Sequence, residues 1–132
     1  MNQRKLEMQS ATGKAVERSS NLRRKRWLEP LILLALKTSC CTHGYEIARC
    51  VARFGLLDTE VERGAVYRCL QTLMKNGYVA VSRTVRINGR IRRAYRITAE
   101  GERWLERWVE YIEEQWHGMG KFLRIYRQVA DG

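Results

Sequence analysis

One stretch, residues 63–96, changes its hydrophobic period partway along, and this change constrains the fold more than any other feature of the chain. Four apolar residues between positions 66 and 74 recur at the three- and four-residue spacing of one helix face, and Gly77 then ends the pattern. Two runs rich in Val, Ile and Tyr follow and meet at Asn88 and Gly89. This pair favours a type I′ turn, because both central residues of that turn have positive φ. The stretch therefore predicts a helix over about 62–76 and a β-hairpin with strands near 79–85 and 91–97.

The positive charge of the chain is concentrated in this stretch and in the N-terminal tail. The formal net charge is +11; residues 63–96 carry nine Arg and Lys with no Asp or Glu, and residues 1–26 carry a net +6. Such segregation points to a polyanionic partner, either a nucleic acid or a membrane surface. A helix followed by a basic hairpin, with no carboxylate to repel phosphate, predicts the recognition helix and wing of a winged helix-turn-helix DNA-binding domain. The predicted fold class is mainly α (α+β).

The rest of this domain, predicted over 27–98, consists of two earlier helices. The first begins near Trp27 with Pro30 in its first turn, and a polar turn at 38–42 ends it. The second covers about 43–54, Gly55 stops it, and a linker at 56–61 leads to the third helix. Residues 1–26 are interpreted as a disordered basic tail, the alternatives being a short helix at 14–18 or an arm that contacts phosphate.

A long amphipathic helix for dimerisation is predicted over 99–130. Thr98 is a suitable N-cap, and Glu100 and Glu102 suit the positive end of the helix dipole. A stripe of apolar residues longer than a small winged domain can bury indicates that a second copy of the chain covers it, as in a homodimer. Gly118 and Gly120 each weaken the helix by ~1 kcal/mol, which predicts a kink or break there. The stripe has the alternating four- and three-residue gaps of a heptad seam and consists of Leu105, Val109, Ile112, Trp116, Met119, Leu123 and Tyr126.

Three motifs, in this order, resemble the PadR family of bacterial winged-helix transcription regulators. They are HGYEI at 43–47, G-x-V-Y-R-x-L with a closing Gly-Tyr-Val within 64–79, and RAYRITAEG at 93–101. The resemblance implies a homodimeric repressor that binds a pseudo-palindromic operator in double-stranded DNA and is released by a small hydrophobic or polymer-related effector. The aromatic C-terminal half, including Phe122 and Tyr126, is similar to the repressors that respond to poly-β-hydroxybutyrate. The long basic tail and Met74, where the family often has Glu, depart from the pattern.

The residues of the third helix that face away from its apolar stripe are candidates for DNA contact. Arg68 and Gln71 have the chemistry to read the edges of guanine and adenine, whereas the other polar residues suit phosphate. Competing interpretations are a core position for Tyr67 and a solvated strand face for the wing arginines. The predicted DNA-binding residues are Arg63, Gly64, Tyr67, Arg68, Gln71, Thr72 and Lys75 on the helix and Arg86, Asn88, Arg90, Arg92 and Arg93 in the wing, with Arg86, Asn88 and Arg90 near its tip.

Two tryptophans, Trp104 and Trp108, lie one turn apart at the start of the last helix. Some members of the PadR family bind flat hydrophobic compounds between facing aromatic residues at the dimer interface, so the resemblance makes these two residues a candidate effector pocket. The alternative is ordinary interface packing, because large aromatic side chains are enriched at interfaces in any case.

Other classes of protein are less compatible with the sequence. A metal site at Cys40, Cys41 and His43 is disfavoured because three ligands on one turn lack the usual zinc spacing, and Cys50 and Cys69 suit small core positions. No Ser-His-Asp or paired-carboxylate pattern occurs, so we expect no enzyme activity, no cofactor and no metal. The longest apolar run is too short to span a bilayer, and no export signal precedes it, which favours a cytoplasmic protein. Rival functions are a granule- or surface-associated structural protein that binds an apolar polymer, and a nonspecific nucleic-acid-binding protein.

Overall fold

The computed structural model describes residues 27–38, 41–56 and 62–132. Several predictions therefore concern residues outside these ranges. They are the disordered tail at 1–26 with its alternative helix, Cys40 as one of the three ligands in the metal hypothesis, and most of the linker at 56–61. The order of elements agrees with the sequence prediction, a mainly helical fold with a two-stranded wing and a long last helix. The elements are α1 (residues 27–37), α2 (Gly44–Arg53), α3 (Arg63–Lys75), β1 (Val79–Ile87), β2 (Arg90–Ile97) and α4 (Ala99–Asp131).

The core lies where the three short helices meet the base of the wing and the start of α4. The apolar stripe predicted for the third helix is the buried one, since Val66, Leu70 and Leu73 have no exposed surface. They pack in one cluster with Leu31, Ile32 and Leu33 of α1, Ile47 and Val51 of α2, Val79 and Tyr95 of the wing, and Leu105 of α4. Among the described residues every fully buried side chain of this core is hydrophobic. The opposite, polar face of α3 is therefore left at the surface.

The end of α3 is joined to the start of α4 by a compact set of hydrogen bonds. Gly77 has φ +80, which lets the chain reverse so that the Tyr78 amide donates to the Leu73 carbonyl at 2.9 Å. The Thr98 hydroxyl donates to the Gly77 carbonyl at 2.7 Å and accepts from the Gly101 amide at 3.1 Å, which confirms Thr98 as the N-cap of α4. A Cβ on Gly101 would collide with the Tyr78 carbonyl oxygen. The short Thr98–Gly101 motif thus sets α4 against the turn that follows α3.

The wing is an antiparallel hairpin closed by the predicted two-residue turn. Asn88 and Gly89 have φ values of 51 and 76, as a type I′ turn requires, and Ile87 pairs directly with Arg90. Toward the turn, β1 extends two residues and β2 one residue beyond the prediction, because this tight turn lets pairing continue to its edge. A β-bulge interrupts the register between Val81 and Arg83.

The last helix is continuous from Ala99 to Asp131, so the predicted break at Gly118 and Gly120 is wrong. Two glycines cost the helix only about 1 kcal/mol each, which a run of 33 residues accommodates. Only Gly101 and Leu105 of this helix are fully buried, and most of its second half is exposed. Among the described helices, none is long and apolar enough to cross a membrane.

Candidate nucleic-acid interface

All seven residues of α3 that were predicted to bind DNA lie on its exposed face. Because Val66, Leu70 and Leu73 turn inward at helical spacing, the residues between them turn outward. Each of the seven is classed as exposed, including Tyr67, which keeps 41% of its surface accessible. The exposed set is Arg63, Gly64, Tyr67, Arg68, Gln71, Thr72 and Lys75.

Gly64 makes room for the guanidinium of Arg68 near the N-terminus of α3. A Cβ at position 64 would lie 3.2 Å from Nη1 of Arg68, closer than most real Cβ contacts. The Arg68 side chain therefore lies back along the helix toward its N-terminus, the end of a helix at which anions bind. The Thr72 hydroxyl donates to the Arg68 carbonyl at 3.2 Å, which leaves its oxygen available only as an acceptor for other groups.

For Tyr67 the sequence left open two interpretations, a core position and a DNA contact, and the side chain has features of both. Its ring lies against Gly44 at the start of α2, so closely that any Cβ on Gly44 would overlap the ring. This contact explains why glycine follows His43 in the HGYEI motif. The ring is held by packing, and its exposed edge borders the cleft between α3 and the wing.

The bulge in β1 determines which face of the hairpin each arginine occupies. Val81 pairs with Tyr95, and Arg83 then pairs with Ala94, so Ser82 is the extra residue; its hydroxyl donates to the Ala94 carbonyl at 3.2 Å. Since paired residues share a face, Arg83 lies on the same face as Arg90 and Arg92. Arg86 and Arg93 lie on the opposite face, so both sides of the wing present positive charge.

The segment before α2 fixes the base of the wing. The Tyr95 amide donates to the Thr42 carbonyl at 2.8 Å, and His43 forms an isolated bridge with Ala94. Nδ1 of His43 lies 3.2 Å from the Arg93 carbonyl oxygen, which can only accept, so Nδ1 carries the proton. The His43 amide donates to Oε1 of Glu46 at 3.1 Å at the start of the helix. His43 thus lies at the start of α2, where its ring and its backbone amide both make hydrogen bonds.

A cleft of about 750 Å³ lies between the start of α2, the exposed face of α3 and strand β2. Arg63, Tyr67 and Gln71 line it from the helix, and residues 90–93 line it from the wing. The described part of the chain has two salt bridges, Lys37–Glu102 and Arg103–Glu100, and neither involves a residue of 63–96. The positive charge around the cleft is therefore not neutralised within these residues.

Sequence reasoning missed one arrangement at the edge of this cleft. The guanidinium carbon of Arg92 lies 5.4 Å from the centroid of the Tyr45 ring, and the His43 ring stacks on Tyr45 at 6.0 Å with an interplanar angle of 4°. Tyr45 and Arg92 are 47 positions apart in the sequence, and no local pattern connects them. In the sequence, Tyr45 stands out only as part of the HGYEI motif.

Cys41 and Cys69 have the chemistry of unreactive thiols. Burial raises the pKa of the Cys69 thiol to about 12 and that of Cys41, which hydrogen-bonds to Cys50, to about 11. Both thiols stay protonated at neutral pH, whereas the nucleophilic form of cysteine is the thiolate. Within the described ranges no three His, Cys, Asp or Glu side chains come together as a metal site.

A second, mostly apolar groove of about 530 Å³ runs between α1 and α4. Trp108 lines this α1–α4 groove together with Trp27, whose ring meets it edge-on at 5.6 Å. Trp104 lies behind Trp108, stacked on it at 6.0 Å, and packs toward Tyr78 and the core instead. Of the two tryptophans predicted as an effector pocket, the structure therefore places only Trp108 in a groove.

The predicted seam on α4 is largely exposed in the single chain. Leu105 differs from the other members because it is buried in the core of its own chain, with 7% of its surface exposed, and offers little to a partner. Ile112 is half-buried, while Trp116 and Tyr126 expose 73% and 64% of their surfaces. The rest of the exposed seam consists of Val109, Met119 and Leu123.

Comparison with known proteins places this architecture among transcription regulators. A family model described as "Transcriptional regulator PadR-like family" matches residues 32–107. The crystal structure of a conserved protein of unknown function, described as a potential transcriptional factor, has a TM-score of 0.70 and 26% identity, covering 83% of this chain and 95% of that one. A PadR family transcriptional regulator from Eggerthella lenta DSM 2243 has a TM-score of 0.61 and 26% identity, with coverage of 87% and 96%.

A PadR family transcription regulator from Clostridium difficile R20291 shares the fold, with a TM-score of 0.61 and 24% identity, over 74% of this chain and 98% of that one. No curated protein matches the sequence significantly.

Proposed function

Because the chain belongs to the PadR-like family of transcriptional regulators, we propose that it acts as a homodimeric repressor of transcription in the cytoplasm, bound to a pseudo-palindromic operator. The observation that carries the proposal is the basic surface, defined as the exposed side of α3 together with the wing, residues 63–96. It holds nine Arg and Lys, has no acidic residue, and has no salt bridge within the described chain. Such a surface attracts the phosphates of DNA and releases their counterions.

Within the basic surface, the roles of the side chains follow from their position. In helix-turn-helix proteins the N-terminal part of the recognition helix reaches base edges in the major groove. Arg68 and Gln71 lie on the exposed face of α3, and their bidentate groups match guanine and adenine. Arg63, Thr72 and Lys75 flank them and suit phosphate contacts, while the wing arginines extend to the neighbouring backbone or minor groove.

The homodimer is supported by the exposed apolar seam of α4, since a soluble monomer rarely leaves so long an apolar stripe uncovered. The charges of α4 indicate how two copies would align. Residues 99–114 contain six Glu and two Arg, whereas residues 115–131 contain three basic residues and one Asp. An antiparallel pair places the basic half of each helix beside the acidic half of the other. In the matching register of the seam, Ile112 meets the partner's Leu123 and Val109 meets the partner's Tyr126.

The α1–α4 groove supports an apolar effector that acts at the dimer interface. Most of its accessible lining is apolar and includes Trp27, Leu31 and Trp108. Glu102, Glu106, Glu110 and Glu113 line the groove with a single Lys37, which disfavours an anionic effector. An effector acts only if it binds the DNA-free arrangement of the dimer more tightly.

Selection of bound sequences from a random DNA pool, followed by a salt series, tests the proposal. We expect a pseudo-palindromic site whose half-sites are about one helical turn apart. Binding should weaken as salt rises, with a slope of about −0.9 per phosphate contact, while the preference over random DNA remains. Loss of that preference at moderate salt would instead identify a nonspecific nucleic-acid-binding protein.

A further inference from the structure

We propose that Tyr45 is a positioning residue for DNA binding, which holds the guanidinium of Arg92 in place for a backbone phosphate. This inference rests on the proposed function and extends it to a residue of α2. The Tyr45 ring has the Arg92 guanidinium carbon 5.4 Å from its centroid, within the range of a cation–π contact. Arg92 lines the cleft that separates α3 from the wing, on the same side as Arg90.

The aromatic ring itself is fixed in three ways before any DNA binds. It belongs to the second residue of α2, whose first turn is closed by the hydrogen bond from the His43 amide to Glu46. The His43 ring stacks on it in parallel, at a centroid distance of 6.0 Å. His43 in turn is held by Nδ1, which donates to the Arg93 carbonyl oxygen at 3.2 Å. The support for Arg92 is thus connected to the adjacent residue of the same strand.

This arrangement reduces the entropy cost of using an arginine for recognition. A free arginine side chain carries about 2 kcal/mol of rotamer entropy, part of which is lost when its guanidinium is immobilised on a phosphate. A guanidinium that already lies over a ring has lost part of that freedom in the unbound protein. A cation–π contact takes up none of the guanidinium N–H groups in hydrogen bonds, so these groups can still donate to phosphate oxygens. Arg83, Arg90 and Arg96 of the wing have no comparable ring contact within the described chain.

A double-mutant cycle measures the coupling between Tyr45 and Arg92. Tyr45→Leu removes the ring and keeps an apolar side chain with good helix propensity, and Tyr45→Phe keeps the ring and removes the hydroxyl. We expect Tyr45→Leu to weaken binding to a random-sequence DNA duplex by about two- to five-fold, the usual strength of an exposed cation–π contact. Tyr45→Phe should bind as the parent protein does. In an Arg92→Ala background, Tyr45→Leu should have no further effect.

Lys75→Ala provides the matched control, because Lys75 is a predicted phosphate ligand at the far end of α3, without a contact to Tyr45. In that background Tyr45→Leu should retain its full effect. Arg92→Ala should lower the salt slope by about one phosphate contact, and circular dichroism confirms that each variant is folded at the assay temperature.

Three outcomes would overturn the positioning role. They are an unchanged affinity in Arg92→Ala, an unchanged affinity in Tyr45→Leu when Arg92→Ala is weakened, and an equal loss from Tyr45→Leu with and without Arg92. Failure of the proposed function is a separate result, since the parent protein would then select no DNA site from the random pool.

Discussion

The basic surface and the second half of α4, residues 115–131, are both exposed, but they are exposed for opposite chemical reasons. The basic surface presents guanidinium, ammonium and amide groups above a fully buried apolar stripe. The second half of α4 presents apolar side chains themselves, among them Trp116, Phe122 and Val129, at 73%, 69% and 74% exposure. One chain supplies all the charged groups of the first surface, which suits it to bind a polyanion. The apolar side chains of the second surface have nothing in the described part of their own chain to cover them.

From this contrast we infer that the basic surface provides affinity for DNA, and that α4 sets the spacing between two DNA-binding domains. Charge attracts DNA of any sequence, and a single winged domain reads only a few base pairs through its recognition helix. In the proposed homodimer, two recognition helices at a fixed spacing would read two half-sites, and their spacing would depend on how the α4 helices pair. Thr98 and Gly101 set α4 against the turn after α3, so only a short path separates α4 from the recognition helix, and pairing of α4 in the proposed dimer would fix the position of that helix.

The largest expected effect comes from disrupting the seam. Replacing Val109 and Ile112 with Asp puts two carboxylates into the apolar interface, and we expect monomers by light scattering. The affinity for a two-half-site operator should fall by about 100-fold or more, because the second half-site no longer binds at high effective concentration. Affinity for a single half-site should change much less.

The matched control is Arg107→Asp, which changes the net charge by the same two units at an exposed position on the opposite side of α4. It should leave the dimer intact. An unchanged dimer in the Val109 and Ile112 variant would show that this seam is not the interface.

The next effect concerns base reading on the basic surface. Arg68→Ala should cost about 1–3 kcal/mol on the selected operator and relax the preference at one base pair in each half-site. Lys75→Ala should weaken all sequences equally, because a phosphate contact carries no sequence information. Fluorescence anisotropy on operators with single base changes separates the two patterns. Uniform weakening by Arg68→Ala would assign Arg68 to phosphate.

Local sequence signals predicted the elements of both regions, because each signal acts within a few residues. The stripe of Val66, Leu70 and Leu73, the turn at Asn88 and Gly89, and the cap at Thr98 all lie where the sequence placed them. The break expected at Gly118 did not occur, since neighbouring good helix formers outweigh two weak positions in a long helix. In these cases the decisive free energy is local and can be summed along the chain.

The features that the sequence did not predict depend on contacts between residues that are far apart in the chain. Nothing near Tyr45 indicates that Arg92 lies over its ring, and nothing near Thr42 indicates a backbone hydrogen bond to Tyr95. Leu105 has the same heptad spacing as the seam, yet it is buried in its own chain because the Thr98–Gly101 motif brings the first turns of α4 against the core. Periodicity identifies an apolar face, but it does not identify which partner covers each part of it.

The same substitution at two positions compares the start of α4, which packs against the core, with its exposed second half. Gly101→Ala should destabilise the fold by about 1–3 kcal/mol, because the new Cβ meets the Tyr78 carbonyl, a backbone atom that cannot move aside. Gly118→Ala should stabilise it by up to about 1 kcal/mol, since no atom lies within 4 Å of the new Cβ and alanine favours the helix. Chemical denaturation of both variants gives the two signs. A stabilising Gly101→Ala would mean that α4 does not dock as closely as the structure shows.

The smallest effect tests the direction in which two α4 helices align. In the antiparallel register, Glu106 lies beside the partner's Arg127, and symmetry creates this pair twice in the dimer. Glu106→Arg should weaken dimerisation by about 0.2–1 kcal/mol per pair, as is usual for exposed ion pairs, and salt should diminish the effect. Adding Arg127→Glu to the same chain should restore the dimer, because the exchanged charges again oppose each other. In a parallel pair these two positions are far apart, so the second substitution would bring no recovery in sedimentation equilibrium. Only a dimer whose helices run in opposite directions makes the two positions depend on each other.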